Sequence, residues 1–586
     1  MKMLSVIILV FTGLLVGCGG EPEPISIAID PTPIEEAVEV PAVEVLTEEP
    51  EVTISAAAER LLVDLEVALP DLHQDRTALV AASGNCLACH SGLSDTDGND
   101  ISFDSKWRSS MHAFAAIDPY WQASVSAEVV ENPELSEVIE NKCATCHMPL
   151  AHFDANANGE TAAMFEDGFL NAENPLHDLA MDAVSCTGCH QIMADNLGTL
   201  ASFSGGFLID SDNTIYGERM IYGPFPIGRQ PANVMAQASG FLAEQSAHMT
   251  DSALCATCHT LYTPYLNAVG EVAGEFPEQM AYFEWVNSSY VETQTCQDCH
   301  MPAVSGNVII STVMGQPKEY LRLHSFTGAN TFMLNLVGDN PEILGSRAKD
   351  GQIETAVAAT ELMLQTQTAT VEVLNMGVTD GQLGLDVVVT SMTGHKFPTG
   401  FPSRRAWLQL TVRDGEGNLI FESGASRPDG LIIGNDNDLD ESMYEPHYSV
   451  ISSPDEVQIY ETILLNTDGQ VTTTLLYGAG YAKDNRLLPA GFELTAVIPE
   501  TATHGLAAED LDFISGGDTV RYQVDVSEAS GPFTVSVALN YQSIGFRWAE
   551  NLRGYGTEQT DKFIGLYDGA VNLPVQVSSV EVDIEE

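Results

Sequence analysis

The chain of 586 residues is 44% hydrophobic and 8% aromatic, a composition that folds, and its 83 acidic against 23 basic residues leave a formal net charge of -60. Such a length predicts two or more domains with their own cores, while the charge excludes nucleic acid as a partner, because phosphate binding needs clustered Lys and Arg. The acidity itself reads either as adaptation to a saline medium, where counterions screen self-repulsion, or as a docking charge for a cationic partner.

In chain order, Met1-Lys2 is a short basic start and Leu4 to Val16 an apolar core too short to span a membrane, so residues 1–18 read as a signal peptide. Its end, Leu15-Val16-Gly17-Cys18, resembles a bacterial lipobox, which makes Cys18 the lipidated first residue of the mature protein. Residues 19–54 are rich in Glu, Pro, Val and Ala and read as an extended, self-repelling tether. Lipid, tether and folded body in that order predict attachment to a membrane surface at a distance. Gly19 rather than Asp after Cys18 fits an outer-membrane lipoprotein of the cell envelope, facing the periplasm or the cell surface.

Residues 55–365 read as a body of short helices and loops, with candidate helices at 56–68 (Ala56 to Ala68) and 354–366. Ten of its cysteines repeat one pattern: Cys86-Leu-Ala-Cys89-His90, Cys143-Ala-Thr-Cys146-His147, Cys186-Thr-Gly-Cys189-His190, Cys255-Ala-Thr-Cys258-His259 and Cys296-Gln-Asp-Cys299-His300. C-x-x-C-H is the pattern of covalent haem c attachment, in which two thiols add to the porphyrin vinyl groups and the His becomes the proximal iron ligand. Redox dithiols and zinc sites also use C-x-x-C, but neither explains a His after every pair. Five covalent haems c follow. The motifs succeed one another too closely for each to enclose a porphyrin alone, so the haems form much of one another's surroundings.

From residue 366 to 586 the period changes. Thr370 to Leu374, Leu383 to Thr390, Trp407 to Val412, Thr519 to Val526 and Phe533 to Tyr541 alternate at strand spacing between Gly, Asp and Asn turns. The expected architecture is therefore α+β, a haem-cored body followed by a β-sandwich.

Histidines outside the motifs are His73, His112, His152, His177, His248, His324, His395, His447 and His504. Together with the motifs, the segments Trp107-Arg-Ser-Ser-Met-His112, His177-Asp-Leu-Ala, His248 ahead of Cys255, and Leu323-His324-Ser-Phe-Thr-Gly328 make the chain resemble the multihaem c-type cytochromes of bacterial respiratory and extracellular electron-transfer chains. Thr393-Gly-His395-Lys-Phe-Pro-Thr-Gly400, with Arg404, Arg405 and Trp407, resembles the segment by which a C-terminal domain of that family supplies a His to a haem in the first body. The resemblance implies distal ligation by His112, His177, His248, His324 and His395, with His152 in reserve. Met148 and Met301 directly follow proximal His and are expected to pack on a ring edge rather than to ligate.

Asp95-Thr-Asp97-Gly-Asn-Asp100 and Asp154-Ala-Asn156-Ala-Asn158-Gly159 resemble calcium loops, but the twelfth position of the second is Phe165, with Glu166 one place late. Turn formation explains both runs equally well, and calcium stays open. With bis-His irons throughout, no iron binds substrate and no residue is assigned a catalytic role. The leading expectation is a lipid-anchored electron carrier whose partners are redox proteins of the envelope. The alternatives are a reductase of nitrite, hydroxylamine or a sulfur oxyanion with one open iron, and a filament-forming cytochrome.

Overall fold

A computed structural model describes residues 72–585, with the exception of 496. The signal peptide at 1–18, the lipidation site Cys18, the tether at 19–54 and the candidate helix at 56–68 lie outside the described residues. Helices dominate the N-terminal half and sheets the C-terminal half, so the fold is α+β.

The longest helix of the first half, Pro119–Glu131, starts where sequence chemistry dictates. Pro119 occupies the first turn, where its missing N–H costs nothing, and the Asp118 carboxylate accepts from Tyr120 N (2.9 Å) and Trp121 N (3.2 Å). Burial pushes the Asp118 carboxyl up to about 6. Asp118→Ala is expected to cost about 1 kcal/mol of stability, and Asp118→Asn to keep most of it. Chemical denaturation of the haem-loaded protein checks this, and equal stability of wild type and the Ala variant would refute the cap.

Three short strand pairs interrupt the expected helices and loops of this half, the shortest being Val308–Ile309 with Pro317–Lys318. Arg219–Gly223 pairs in parallel with Phe241–Gln245, and Thr260–Leu266 forms a hairpin with Val272–Met280. The Thr260–Leu266 hairpin begins directly after His259, so the chain leaves that motif as a strand and the hairpin holds the motif's end in place.

The C-terminal half holds a two-sheet sandwich and a separate three-stranded sheet of Val471–Thr472, Thr462–Leu465 and Gly480–Asp484. One sheet runs Leu419–Ser423, Arg405–Arg413, Phe533–Gln542, Val575–Ile584, with Ile459–Tyr460 also on the Arg405 strand. The other runs Val450–Ile451, Gly517–Asp525, Gln382–Ser391, Ala369–Thr379. Alternate residues of both sheets, such as Leu385, Val387, Val520 and Tyr522 against Leu408, Leu410, Val535 and Val537, meet in one buried core. The edges of the two sheets also touch, since Val371 N donates to Ser578 Oγ (3.1 Å). The five strands expected from period-2 patterning all occur. The expected helix at 354–366 occurs as Gln352–Gln367 and feeds directly into the Ala369 strand.

A long helix of the C-terminal half also leaves the sandwich. The helix Glu558–Gly569, opened by a capping box between Thr557 and Thr560, packs back on Pro119–Glu131. There Phe563 meets the Tyr120 ring at 5.2 Å and Ser126 Oγ donates to Thr557 Oγ1 at 2.8 Å. The halves also approach backbone to backbone. Ser289 N donates to Ala490 O (2.8 Å), and at Gly491, whose φ is +83°, a Cβ would stand 2.7 Å from Ser289 N. Only glycine fits that contact. Among the described residues no helix is long and apolar enough to cross a membrane.

Candidate haem-binding site

Each motif is organised by a helical turn, which sets Cys i and Cys i+3 on one face with His i+4 beside them. The relevant helices are Gly84–Leu87, Ser136–His147, Cys186–His190, Ser252–His259 and Cys296–His300. Local capping supports two of them: Asp251 accepts from Ala253 N, and Thr295 forms a capping box with Asp298. All ten motif cysteines are free thiols, each partly buried.

The imidazoles are prepared as metal ligands. Nδ1 of His90, His147, His190 and His300 faces the carbonyl of Ile310 (2.6 Å), Ala115 (3.1 Å), Tyr222 (2.6 Å) and Thr327 (2.6 Å) respectively. A carbonyl only accepts, so Nδ1 carries the proton and Nε2 keeps its lone pair for a metal. Burial holds these rings neutral, lowering His147 and His259 to about 4 and pulling His90, His190 and His300 down as well.

Three distal candidates lie opposite a motif His. The ring centroids of His190 and His324 are 6.1 Å apart with planes nearly parallel at 9°, those of His300 and His395 are 6.2 Å apart at 9°, and those of His112 and His259 are 6.1 Å apart at 53°. Two imidazoles bound through Nε2 to one iron, with metal–nitrogen bonds of about 2 Å, place their centroids roughly 6 Å apart. These separations leave room for one metal between the two rings of each pair. Burial lowers His112 and His324 to about 3, and Nδ1 of His324 and His395 is satisfied by Arg322 O (3.1 Å) and Lys396 O (2.8 Å). The chemistry and spacing of the residues fit covalent haem c.

The other two candidates are placed differently. His177 directs Nδ1 to Phe169 O (2.8 Å) but meets no motif imidazole. His248 uses both ring nitrogens, Nδ1 with Ser246 Oγ (2.6 Å) and Nε2 with Ile192 O (2.8 Å). No ring contact joins His90 or His147 to another imidazole among the described residues; His147 is instead stacked on Trp121 at 4.2 Å and 3°. His152 points Nε2 at Thr145 Oγ1 (3.0 Å). Phe326 packs edge-on against His112 (4.3 Å), and Phe103 against both His90 (5.6 Å) and His324 (4.6 Å). None of these aromatic neighbours carries a sequence signal that distinguishes it from ordinary core.

The thiols reveal which motifs adjoin. Cys86 and Cys186, Cys146 and Cys258, and Cys255 and Cys296 lie close enough to influence one another, and that proximity together with burial drives the Cys146, Cys186 and Cys255 thiols well above the usual range; Ala81 N also donates to Thr187 Oγ1 (3.2 Å) and Cys296 N to Ser252 Oγ (3.1 Å). Cys189, pushed up to about 12 by burial, also feels Cys258. Motif one thus adjoins motif three, three lies near four, and four adjoins both two and five. The arrangement branches at Cys255–His259.

The two oxygen-rich runs are structurally distinct. Asp95 accepts from Asp97 N (2.9 Å) and Asn99 N (2.8 Å) in an exposed turn, whereas Asp154 to Ala157 belong to the helix Pro149–Ala157.

No family model matches the chain, and no curated protein matches it. Among solved structures, the chain is similar to a penta-heme cytochrome c552 from Thermochromatium tepidum, with 15% identity, 82% of this chain and 96% of that chain covered, and a TM-score of 0.45.

Proposed function

We propose that the protein is a multihaem c-type cytochrome that carries electrons one at a time through five haems held by its C-x-x-C-H motifs. The single observation that carries this reading is the set of three imidazole pairs 6.1–6.2 Å apart, each joining a motif His to a distant histidine. When bound, haem c supplies a one-electron ferric/ferrous couple, lowered by bis-His relative to Met/His ligation. The chain's own residues attach it through paired thiols, orient Nε2 through the Nδ1 hydrogen bonds, and exclude water with Phe103, Phe326 and Trp121. The motif adjacency supports a continuous path from motif one through three to four, which then branches to two and five. In this reading the signal peptide, Cys18 and the acidic tether hold the body at the outer membrane, and its partners are envelope redox proteins.

A second reading, reduction of nitrite, hydroxylamine or a sulfur oxyanion at an open iron, is favoured by one observation. His90 and His147 face no imidazole among the described residues, although His177 retains an uncommitted Nε2. Electron paramagnetic resonance of the haem-loaded protein with a redox titration separates the two. The carrier predicts five low-spin ferric irons that ignore nitrite and cyanide. A high-spin iron whose signal shifts with nitrite would instead establish the reductase.

A further inference from the structure

His300 and His395 come from different halves of the chain, so something must fix one frame against the other for both to reach the same iron. We infer that Glu284 is that positioning residue, a buried carboxylate that clamps the His395 loop to the segment bearing the Cys296–His300 motif. The inference rests on the reading of His395 as a distal ligand.

Glu284 lies on the helix Ala281–Val286, shortly before the motif, and is fully buried. Its Oε2 accepts from the backbone N–H of Lys396 (3.2 Å) and from Thr399 Oγ1 (2.5 Å). Its Oε1 pairs with Arg486 Nη1 at 2.9 Å. Lys396, also fully buried, extends the network, with Nζ at 2.8 Å from Asp484 Oδ2 and 3.2 Å from Ala502 O. Arg486 closes it by donating from Nε and Nη2 to both Asp484 oxygens (2.9 and 2.8 Å). Two cations and two anions therefore share one dry cluster, in which each charge has an opposite neighbour.

The position of Glu284 in this cluster is specific. It is the member from the haem-bearing half, whereas Lys396, Asp484 and Arg486 all come from the sandwich half. Two of its three contacts reach Lys396 and Thr399, which bracket the chain immediately after His395. On the near side, Thr393 Oγ1 donates to His395 O (2.6 Å), and the imidazole is set by its Nδ1 contact to Lys396 O. Rotation of the ring is thus coupled to the peptide that Glu284 holds. A glutamine could accept through one oxygen only and would present an N–H donor to Arg486 or to Lys396 N, so the clamp requires a carboxylate.

The test compares Glu284→Gln, Thr399→Val and His395→Ala with wild type in the haem-loaded full-length chain, by electron paramagnetic resonance and midpoint potentials. His395→Ala is expected to lose one low-spin signal and gain one high-spin iron. Glu284→Gln should lose the same low-spin signal and shift one potential, and added imidazole should restore the low-spin signal in both variants. Thr399→Val, missing one hydrogen bond, should show a smaller loss of that signal. Unchanged spectra and potentials in Glu284→Gln, with a high-spin iron in His395→Ala, would overturn the clamp and leave His395 as a ligand. An unchanged spin count in His395→Ala would overturn the ligand assignment and the clamp together. If Glu284→Gln does not accumulate, Thr399→Val decides: a loss of the signal supports the clamp, and a wild-type spectrum refutes it.

Discussion

Replacing Cys255 and Cys258 by alanine should lower the haem content from five to four per chain and disconnect the remainder. Motif four adjoins motifs two and five through the Cys146–Cys258 and Cys255–Cys296 contacts, and Cys189 of motif three feels Cys258. Its loss removes the motif that touches three of the other four. Replacing Cys296 and Cys299 should also leave four haems, but at the end of a branch, with the others still connected. A haemochrome assay checks the stoichiometry in both variants, and stopped-flow reduction checks the connectivity. The Cys255/Cys258 variant should reduce in kinetically separate groups, whereas the Cys296/Cys299 variant should keep the wild-type pattern with one haem fewer. Identical kinetics in the two variants would refute the branch point.

Asp438→Ala should cost about 3–5 kcal/mol of stability, because it strands a buried guanidinium. Arg405 and Asp438 are almost completely buried in the sandwich half and form a two-pronged pair at 2.7 and 3.0 Å. Asp438 Oδ2 also accepts from Ile432 N at 2.8 Å, and Arg405 Nε donates to Gln542 Oε1 at 2.9 Å. Every polar atom of the pair is thereby occupied, so removing the carboxylate leaves a desolvated charge with one side unmet. The exposed pair Arg553–Asp568, with similar distances, supplies the contrast. Asp568→Ala should cost less than about 1 kcal/mol, because water screens both partners before and after the change. Urea denaturation of the two variants measures the difference, and comparable losses would show that burial does not govern these pairs.

The acidity has a structural counterpart in this contrast. Basic side chains are scarce, and several of them are committed inside the protein: Arg108, Lys396, Arg405, Lys483 and Arg486 are all buried. Lys483 pairs with Glu461 at 3.1 Å and Lys396 with Asp484 at 2.8 Å. Buried carboxylates such as Glu284, Asp438, Glu461 and Asp484 offset these cations, so the excess of acidic residues lies mainly on the surface. Such a surface suits a cationic partner or a saline medium.

The haem-attachment pattern and the strands of the sandwich were legible in the sequence because both are local. A thiol pair at i and i+3 with His at i+4 forms on one helical turn whatever surrounds it, and a period of two survives in a strand wherever its sheet packs. The excursion of Glu558–Gly569 onto Pro119–Glu131 was not legible. Its partner lies more than half the chain away, and nothing near Thr557 specifies which surface the capped helix will cover. The short strands Arg219–Gly223 and Phe241–Gln245 escaped for a related reason: they are brief, and each finds its ladder partner only in the other.

By itself, then, the sequence determined what is locally encoded: five C-x-x-C-H motifs and a β-rich C-terminal half. Tertiary structure alone decided which distant imidazole faces which motif, setting His324 opposite His190, His112 opposite His259 and His395 opposite His300, and turning both nitrogens of His248 to other partners. The reason is geometric. A proximal ligand is placed by the residue numbering of its own helical turn, whereas a distal ligand must approach the opposite face of the ring from elsewhere in the fold. That approach is set by contacts such as Glu284 with Lys396, which join segments remote in sequence.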